Sequence, residues 1–398
     1  MKKKLFFAAL LFVAIVGFAS ERQYVVVLSM DGFRWDYNEI IGTPNLDRIA
    51  ERGVRSKGLQ PVFPTGTFSN HYSMATGLFP DNHGIIANTF FNVELQKEFR
   101  LANREAVGNP NFYSGEPIWN TVQRYGLKSA SFFWVGTEAP IGGKQPNTWK
   151  NFNSRIPFYE RIDSVISWLE RPEEDRPQLI MFYFEEPDLA GHNFHPVYAE
   201  EVHRMVRYCD SLVGVLDRRL QALPFAENIS LIIVSDHGMT PTGIDRMIFL
   251  YNYLDTSWIQ YHNRSSPMKL LTVYPEKLDS ALLALQNVPH INAWRPEDIP
   301  KHLNFGTNPN IGNLVILADS AWSISMQPRE TWRAGDHGFD NSNRDMFGIF
   351  YARGPKFHRN RVVPEFLNIQ LHNIIAHLLG IRPAPNDARL EKIYFLFR

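Results

Sequence analysis

The 398-residue sequence has almost no means of covalent cross-linking, because Cys209 is its only cysteine. A single cysteine excludes any disulfide within the chain, even in an oxidising compartment. At its helical spacing we interpret Cys209 as a small buried apolar side chain. Net charge is also absent, since 41 Lys and Arg balance 41 Asp and Glu. The composition therefore gives no electrostatic reason to expect a nucleic-acid polymer or an acidic membrane as the main partner.

The apolar run at the N-terminus is too short to span a bilayer. It extends from Leu5 to Phe18 after three lysines, whereas a transmembrane helix needs roughly 20 apolar residues. Small residues, Gly17 and Ala19, stand where a signal peptidase would cut. We predict a signal peptide over residues 1–19 and an exported protein, periplasmic or extracellular, without a stable membrane anchor.

Strand and helix patterns alternate along the rest of the chain. Continuous apolar runs, typical of strands buried on both faces, occur at residues 24–29, 131–134, 179–184 and 230–234. Helical patterns occur at residues 44–52, 117–125, 159–169 and 197–223. This alternation predicts a doubly wound α/β fold with a mostly parallel central sheet and helices on both faces.

The pattern changes between residues 244 and 304, where prolines interrupt it. One short strand, 270–274, and one helix, 277–287, are predicted there. We expect a small inserted subdomain that roofs the site, within a single domain over residues 20–398. Further strands at 313–318 and 347–352 and a helix at 364–379 are predicted to complete the fold.

Acidic and histidine residues gather just after the predicted strands, where open α/β sheets bind their ligands. They form four clusters: Asp31, Asp188 with His192, Asp236 with His237, and His337. A spacing of four puts an Asp and a His on one helix face. Mixed carboxylate and imidazole ligands suit zinc better than magnesium or calcium. Taken singly, each residue is better explained as a helix cap, a turn residue or a surface residue; the metal site rests on the joint pattern.

Thr67 lies in a turn that begins at Pro64 and opens a short helix closed by Gly77. A helix start offers unpaired N–H groups and a positive dipole to a phosphoryl oxygen. Threonine attacks only when a base or a metal activates it; the alternative is a simple N-cap. Six ligand residues and one hydroxyl are what two-metal phosphoryl transfer requires. The three carboxylates do not fully neutralise the charge of two Zn²⁺, so the site keeps a net positive charge that favours binding of an anionic phosphate ester.

Six motifs in this order resemble those of the nucleotide pyrophosphatase/phosphodiesterase family of the alkaline phosphatase superfamily. The resemblance runs from Val25 to about Lys356 and is carried by Asp31-Gly32-Phe33-Arg34, Pro64 to Gly77, His83-Gly84-Ile85-Ile86-Ala87-Asn88, Glu185 to His192, Ser235-Asp236-His237-Gly238-Met239 and His337-Gly338-Phe339-Asp340-Asn341. It implies an alkaline phosphatase-like fold and a secreted enzyme.

The resemblance also implies residue roles. Two zinc ions are expected, the first held by Asp188, His192 and His337, the second by Asp31, Asp236, His237 and the nucleophile Thr67. Asn88 is expected to donate to a phosphate oxygen, and Phe68 and Tyr183 to sandwich a base or to line the pocket on the side of the leaving group. The implied reaction hydrolyses phosphodiester or pyrophosphate bonds of small nucleotides through a phospho-threonine and releases nucleoside 5′-monophosphates.

Three positions depart from the family pattern. Gly66 stands where a bulkier residue, often Lys, precedes the nucleophile, and Ser69 replaces a frequent proline. Asp336 precedes the last histidine and is left outside the ligand set as a supporting residue.

Several alternative functions remain open from the residues alone. A phospholipid or choline-phosphate diesterase would use the same metals and Thr67. A phosphomonoesterase would add a cationic clamp, and a sulfatase would need a modified Cys or Ser in a context that Cys209 lacks. A secreted metal-dependent binding module without turnover is the alternative from another class.

Overall fold

The computed structural model describes residues 22–328 and 331–398. The signal peptide predicted for residues 1–19 lies outside the described residues. Twenty strands are numbered in chain order: β1 Tyr24–Met30, β2 Val54–Ser56, β3 Leu59–Gln60, β4 Thr89–Asn92, β5 Lys97–Arg100, β6 Ser129–Phe132, β7 Thr148–Lys150, β8 Leu179–Phe184, β9 Ile229–Val234, β10 Thr240–Pro241, β11 Met247–Phe249, β12 Ile259–His262, β13 Met268–Val273, β14 Ile291–Trp294, β15 Leu314–Ala318, β16 Ser323–Ser325, β17 Gly335–Asp336, β18 Phe350–Arg353, β19 Arg361–Val363 and β20 Phe366–Leu367.

The α-helices are numbered in the same way: α1 Tyr37–Ile40, α2 Pro44–Arg52, α3 Thr67–Thr76, α4 Pro80–His83, α5 Arg104–Val107, α6 Ile118–Arg124, α7 Phe158–Leu169, α8 Asp188–Asn193, α9 Glu200–Gln221, α10 Leu278–Leu285 and α11 Gln370–Leu379. Among the described residues, no helix combines the length and apolar character needed to cross a bilayer.

Eight strands form the main sheet in the order β19-β2-β18-β9-β1-β8-β6-β7. Only β18 runs antiparallel to its neighbours; the other pairings are parallel. The mostly parallel sheet predicted from the alternating pattern is therefore confirmed. The carboxyl ends of β1, β8 and β9 lie side by side at one edge of the sheet.

Both faces of the main sheet are covered, as the continuous apolar runs predict. Along β1, Val25 and Val27 pack into the core that includes residues of α3, α6 and α11, whereas Val26 and Leu28 pack into the core that includes residues of α2, α7 and α9. All four side chains are buried. Successive strand residues point to opposite faces, so both faces of β1 are anchored by packed helices.

A second, antiparallel sheet is formed by β12, β13, β15 and β14 in that order. Its two faces divide as in the main sheet: Leu271 of β13 packs with Leu285 of α10, while Leu270 faces the main core. The strand predicted at 313–318 belongs here, since β15 pairs with β13 and β14. This unit thus draws on residues beyond 304.

Two other sequence expectations differ from the structure. The strand predicted at 131–134 is β6, 129–132, because Phe133 turns the chain out of the strand with a positive φ of 74°. The helix predicted over 364–379 starts only at Gln370, because Phe366 and Leu367 instead pair as β20 with Leu59 and Gln60. The apolar pattern thus extends past the end of β6 and begins before the start of α11.

Candidate active site

Three carboxylates meet at the carboxyl ends of adjacent strands. Asp31 follows β1 and Asp236 follows β9, while Asp188 opens α8 just after β8. Gly32 makes this approach possible: its φ is +65°, and a Cβ there would stand 2.8 Å from Cα of Asp188. The backbone N–H of Asp188 donates to the carbonyl of Asp31 at 3.0 Å. The two carboxylates are therefore locked together by backbone contacts.

Three histidines complete the cluster and share one orientation. Each directs Nδ1 to a backbone carbonyl: His192 to Gly335 at 2.8 Å, His237 to Gly238 at 2.8 Å and His337 to Thr65 at 2.9 Å. An Nδ1 that donates leaves Nε2 as an unprotonated acceptor. This arrangement is the one by which proteins orient metal-binding histidines.

The inward-facing atoms of the cluster are all acceptors. Nε2 of His237 lies 3.2 Å from Oδ2 of Asp236 and 3.4 Å from Oδ1 of Asp31. Nε2 of His192 lies 3.3 Å from Oδ2 of Asp188. Among the described residues, one oxygen of each of these three aspartates is buried without a hydrogen-bond partner. Acceptors that crowd together, three of them buried without a donor, favour cations between them.

The donor set fits divalent metal ions in two overlapping groups. Ligand atoms of Asp188, His192 and His337 lie within 4.8 Å of one another, and so do those of Asp31, Asp188 and His237. The first group is the set expected for one zinc. The second includes Asp188 as well as members of the other expected set, so Asp188 lies between the two positions. Carboxylate oxygens with imidazole nitrogens suit zinc.

The pKa values of the cluster reflect its crowding. Burial, followed by the nearby carboxylates of Asp236 and Asp188, raises the pKa of Asp31 well above its ordinary value. Burial, followed by the neighbouring imidazoles, lowers the pKa of His337 well below its ordinary value. Burial alone would raise the pKa of Asp236, yet contacts led by His237 lower it to about 2. Cations would relieve the repulsion among the carboxylates that contributes to the raised pKa of Asp31.

Thr67 is the first residue of α3, and its hydroxyl does not cap the helix. Gly66 occupies the N-cap position, and no side chain caps this end. Instead the Thr67 hydroxyl donates to Nε2 of His237 at 3.3 Å. The N-cap interpretation of Thr67 is therefore wrong, since its hydroxyl is directed at the cluster.

Asn88 lies near the Thr67 hydroxyl, and only one end of its side-chain amide, Oδ1, makes a hydrogen bond. Its Oδ1 accepts from the backbone N–H of Phe68 at 3.0 Å, which directs the side chain towards the start of α3. Among the described residues, Nδ2 of Asn88 has no acceptor. Because Asn88 lines the same cavity as Thr67, this N–H₂ group can donate to a bound oxygen.

A cavity of about 640 Å³ opens over the cluster. Asp31, Thr67, Asp188, His192 and His337 line its floor. An aromatic wall is formed by Phe68 of α3, by Phe133 and Trp134 after β6, and by Phe152 in the loop before α7. Such a wall, next to a site for divalent cations, suits a planar ring attached to a phosphate.

The two aromatic residues expected at a base differ in position. Phe68 is half-buried on the wall and contacts Phe99 edge-on at 5.8 Å between centroids. Tyr183 lines the cavity too, but its hydroxyl donates to Oδ2 of Asp31 at 2.5 Å and only 9% of it is exposed. Tyr183 therefore supports a ligand residue, and its ring offers little free surface.

Comparison with known proteins agrees with this geometry. The family profile described as type I phosphodiesterase/nucleotide pyrophosphatase matches residues 25–340. The chain belongs to this family. It is 34% identical over 378 residues to venom phosphodiesterase CdcPDE of Crotalus durissus collilineatus, covering 92% of this chain and 45% of the relative. It is 33% identical over 374 residues to ectonucleotide pyrophosphatase/phosphodiesterase family member 3 of Rattus norvegicus, covering 91% and 42%. The chain thus spans less than half the length of these curated relatives.

Solved structures of this family share the fold. Murine ectonucleotide pyrophosphatase/phosphodiesterase 5, as an inactive threonine-to-alanine variant in complex with AMP, superposes with a TM-score of 0.90 at 31% identity. The match covers 94% of this chain and all of that one. The human counterpart gives a TM-score of 0.89 at 32% identity. The alkaline phosphatase-like α/β fold expected from the sequence is confirmed.

Sequence reasoning missed one support of the site in this family member. His71 is completely buried one turn after Thr67. Its Nδ1 donates to the Thr67 carbonyl at 2.9 Å, lies 3.3 Å from Oδ2 of Asp236, and its Nε2 accepts from Ser29. The spacing of four from Thr67 was a usable signal, because it puts both residues on one helix face.

Phe152 was also missed, and no sequence signal identifies it. It follows β7 in an irregular segment and leaves 38% of its surface exposed in the cavity. Its backbone N–H donates to Oε1 of Glu138 at 2.8 Å, and the Arg104 guanidinium, paired with Glu138, stands 5.7 Å from its ring. Only the folded chain brings these three residues together.

Asp336, left out of the expected ligand set, acts as a support here. Its Oδ1 accepts from the backbone N–H of His337 at 3.1 Å and lies 4.0 Å from Nδ1 of His192. The segment that carries His337 is joined to the one that carries His192 by the backbone N–H of Ala334, which donates to the carbonyl of His192 at 2.9 Å.

Proposed function

We propose that this chain hydrolyses phosphodiester and pyrophosphate bonds of nucleotides and nucleotide derivatives with two zinc ions, releasing nucleoside 5′-monophosphates. The observation that carries the proposal is the Thr67 hydroxyl, 3.3 Å from Nε2 of His237 within a cluster of acceptors. A nucleophile at a helix start beside a divalent metal site is the arrangement of phosphoryl transfer. Family membership and the AMP complex of a structural relative support the nucleotide substrate.

The ligand sets proposed are Asp188, His192 and His337 for one zinc, and Asp31, Asp236, His237 and Thr67 for the other. When bound, the ions supply positive charge that lowers the pKa of the hydroxyl and neutralises the phosphate. Thr67, having lost its proton to solvent, then forms a bond from Oγ1 to phosphorus, and the bond from phosphorus to the leaving oxygen breaks with the electron pair on that oxygen. Water next attacks the same phosphorus, and the bond to Oγ1 breaks to release the monophosphate and restore the hydroxyl. Asn88 donates its free Nδ2 hydrogens to a phosphate oxygen throughout both steps.

The nucleoside is proposed to lie against the aromatic wall. The half-buried Phe68 and the exposed Phe152 line the cavity there, and base stacking on an aromatic ring contributes about 1 to 3 kcal/mol. Tyr183 holds Asp31 in place through its hydroxyl, and its role at the base is correspondingly small.

Four chromogenic esters test the function directly. Hydrolysis of p-nitrophenyl thymidine 5′-monophosphate is compared with p-nitrophenyl phosphate, p-nitrophenyl phosphocholine and p-nitrophenyl sulfate, with and without a zinc chelator. We expect the thymidine ester to react fastest and the chelator to stop the reaction. Preference for phosphocholine would indicate a lipid-type diesterase, and activity on none would favour a binding module.

The phospho-threonine has its own test. Two successive in-line displacements retain configuration at phosphorus, whereas direct attack by water inverts it. Hydrolysis of a chiral phosphorothioate diester in isotopically labelled water distinguishes them. We expect retention, and inversion would exclude the covalent intermediate.

Export is proposed from the signal peptide predicted at residues 1–19. Fractionation of cells that express the full-length chain should find the protein, shortened at its N-terminus, in the periplasm or medium. An unprocessed protein in the cytoplasm would contradict this assignment.

A further inference from the structure

Two arginines line the cavity on the side away from the aromatic wall. Arg264 lies in the turn between β12 and β13, and Arg333 lies just before β17. The strand order β9-β1-β8-β6 places the wall, which follows β6, at one side of the carboxylates. β17 pairs with β10, which follows β9. The carboxylate cluster therefore lies between the aromatic wall and these two arginines, and Trp332 lines the cavity next to Arg333.

Arg333 already reaches the metal-facing atom of a proposed ligand. Its Nη1 lies 3.1 Å from Nε2 of His192 and 3.1 Å from Oδ1 of Asp336. The side chain is 57% exposed, so it can rotate into the cavity. A guanidinium carries five N–H donors, and Asp336 occupies only one of them. An anionic group bound next to His192 is within reach of the others.

Arg264 is brought to the site by a close contact between two segments. Gly338, the residue after His337, has a φ of +107°, and a Cβ there would stand 2.8 Å from Cδ of Pro267. The turn that carries Arg264 therefore packs directly on the segment that carries His337. Arg264 is exposed and makes no hydrogen bond or ion pair with any other described residue. Two more arginines line the cavity: Arg104 is already paired with Glu138, and Arg100 lies at the end of β5.

We propose that Arg264 and Arg333 form an anion subsite for the leaving group, so that the preferred substrates carry a pyrophosphate or longer polyphosphate leaving group. This inference rests on the proposed function. Thr67, having released its proton to solvent, forms a bond from Oγ1 to the α-phosphorus. The bond from that phosphorus to the bridging oxygen breaks, and this oxygen departs with the electron pair as part of pyrophosphate. Arginine suits this partner because its planar fork binds phosphate oxygens bidentately.

The test compares two substrates that release a nucleoside 5′-monophosphate. ATP leaves pyrophosphate, whereas p-nitrophenyl thymidine 5′-monophosphate leaves a group without phosphate. We expect Arg264→Gln and Arg333→Gln each to lower kcat/KM for ATP about tenfold, the loss of one charge-assisted hydrogen bond. The thymidine ester should change less than twofold. Arg207→Gln removes the same charge from a surface pair with Glu200 on α9 and should affect neither substrate.

Equal losses on both substrates would assign the arginines a merely structural role, and no loss on ATP would overturn the subsite. Arg333→Lys should restore part of the ATP activity, because it keeps the charge without the fork.

A binding measurement separates this inference from the proposed function. Calorimetry with the zinc-loaded Thr67→Ala protein should give tighter binding of inorganic pyrophosphate than the same protein with both arginines replaced by glutamine. If the wild-type chain hydrolyses neither substrate, the proposed function fails and the pyrophosphate titration still decides the subsite. If it hydrolyses both and pyrophosphate binds equally with and without the arginines, only the subsite is refuted.

Discussion

Oγ1 of Thr67 lies 3.3 Å from Nε2 of His237, although the two residues are 170 positions apart in the chain. The contact joins the first turn of α3 to the carboxyl end of β9. Because Nδ1 of His237 donates to Gly238, Nε2 accepts the threonine hydrogen. The hydroxyl is therefore directed at the same point as the metal-facing nitrogens and carboxylates.

Replacing the hydroxyl should stop turnover and leave the metal site largely intact. We expect Thr67→Ala to lower kcat for p-nitrophenyl thymidine 5′-monophosphate by about a thousandfold or more, since the nucleophile is lost. Zinc content measured on the same preparation should stay near the wild-type value, because the carboxylates and imidazoles remain. Thr67→Ser keeps a hydroxyl and should retain measurable activity. Undiminished turnover by the alanine variant would refute the assignment.

Removing one imidazole should empty one metal position. His192 contributes Nε2 next to Asp188, so His192→Ala should reduce bound zinc from two ions per chain to one after dialysis, with a loss of activity. His290 pairs with Asp319 at the surface, and His290→Ala should leave both ions in place. Retention of two tightly bound ions by His192→Ala would argue against the proposed ligand set.

The exposed ring of Phe152 gives a prediction about specificity. Phe152→Ala should lower kcat/KM for p-nitrophenyl thymidine 5′-monophosphate about tenfold, the value of one lost base stack. Methyl p-nitrophenyl phosphate has no base, so its hydrolysis should be unchanged, and Phe152→Tyr should behave like the wild type. Tyr159→Ala removes an exposed aromatic ring from α7 and serves as the control. A similar loss on both esters would point to disrupted folding.

Buried histidines away from the cluster predict sensitivity to acid. Burial lowers the pKa of His372 to about 4, while the unfolded chain takes up this proton near pH 6.5. A depressed histidine pKa lowers the free energy of unfolding as the pH falls from 6.5 to 4, by about 1.4 kcal/mol per pH unit. Above pH 6.5 the histidine has no effect, because it is neutral in both states.

Urea unfolding of metal-free protein at pH 7 and pH 5 measures this loss. His372 donates from Nδ1 to the carbonyl of Ala75 at 2.8 Å, and no described residue partners its Nε2. Asparagine keeps the donor and cannot titrate, so His372→Asn should reduce the difference between the two pH values by about 2 kcal/mol. An unchanged difference would mean that other groups cause the acid sensitivity.

The buried strands could be predicted from the sequence because an unbroken apolar run identifies them without knowledge of their partners. Residues 179–184 form an unbroken apolar run, and β8 has those bounds. A strand covered on both faces must be apolar at every position. The ligand positions after β1, β8 and β9 followed from the same reasoning, since parallel strands present their carboxyl ends at one edge.

The features that sequence reasoning missed depend on contacts between distant segments. The apolar pattern of β6 continues into Phe133, and only the positive φ at that residue ends the strand. Phe366 fits the helical pattern of the residues that follow it, but in the folded chain it pairs with Leu59 and belongs to β20. Arg264 reaches the cavity because Gly338 has no side chain, which lets Pro267 pack directly against it. None of these contacts is encoded in local periodicity.

The pair of metal ions is the central claim, and anomalous diffraction at the zinc edge tests it most directly. Crystals of the zinc-loaded chain should give two strong peaks roughly 4 Å apart, one bounded by Asp188, His192 and His337, the other by Asp31, Asp236, His237 and the Thr67 hydroxyl. A single peak, or peaks that do not contact Thr67 and these histidines, would contradict the account.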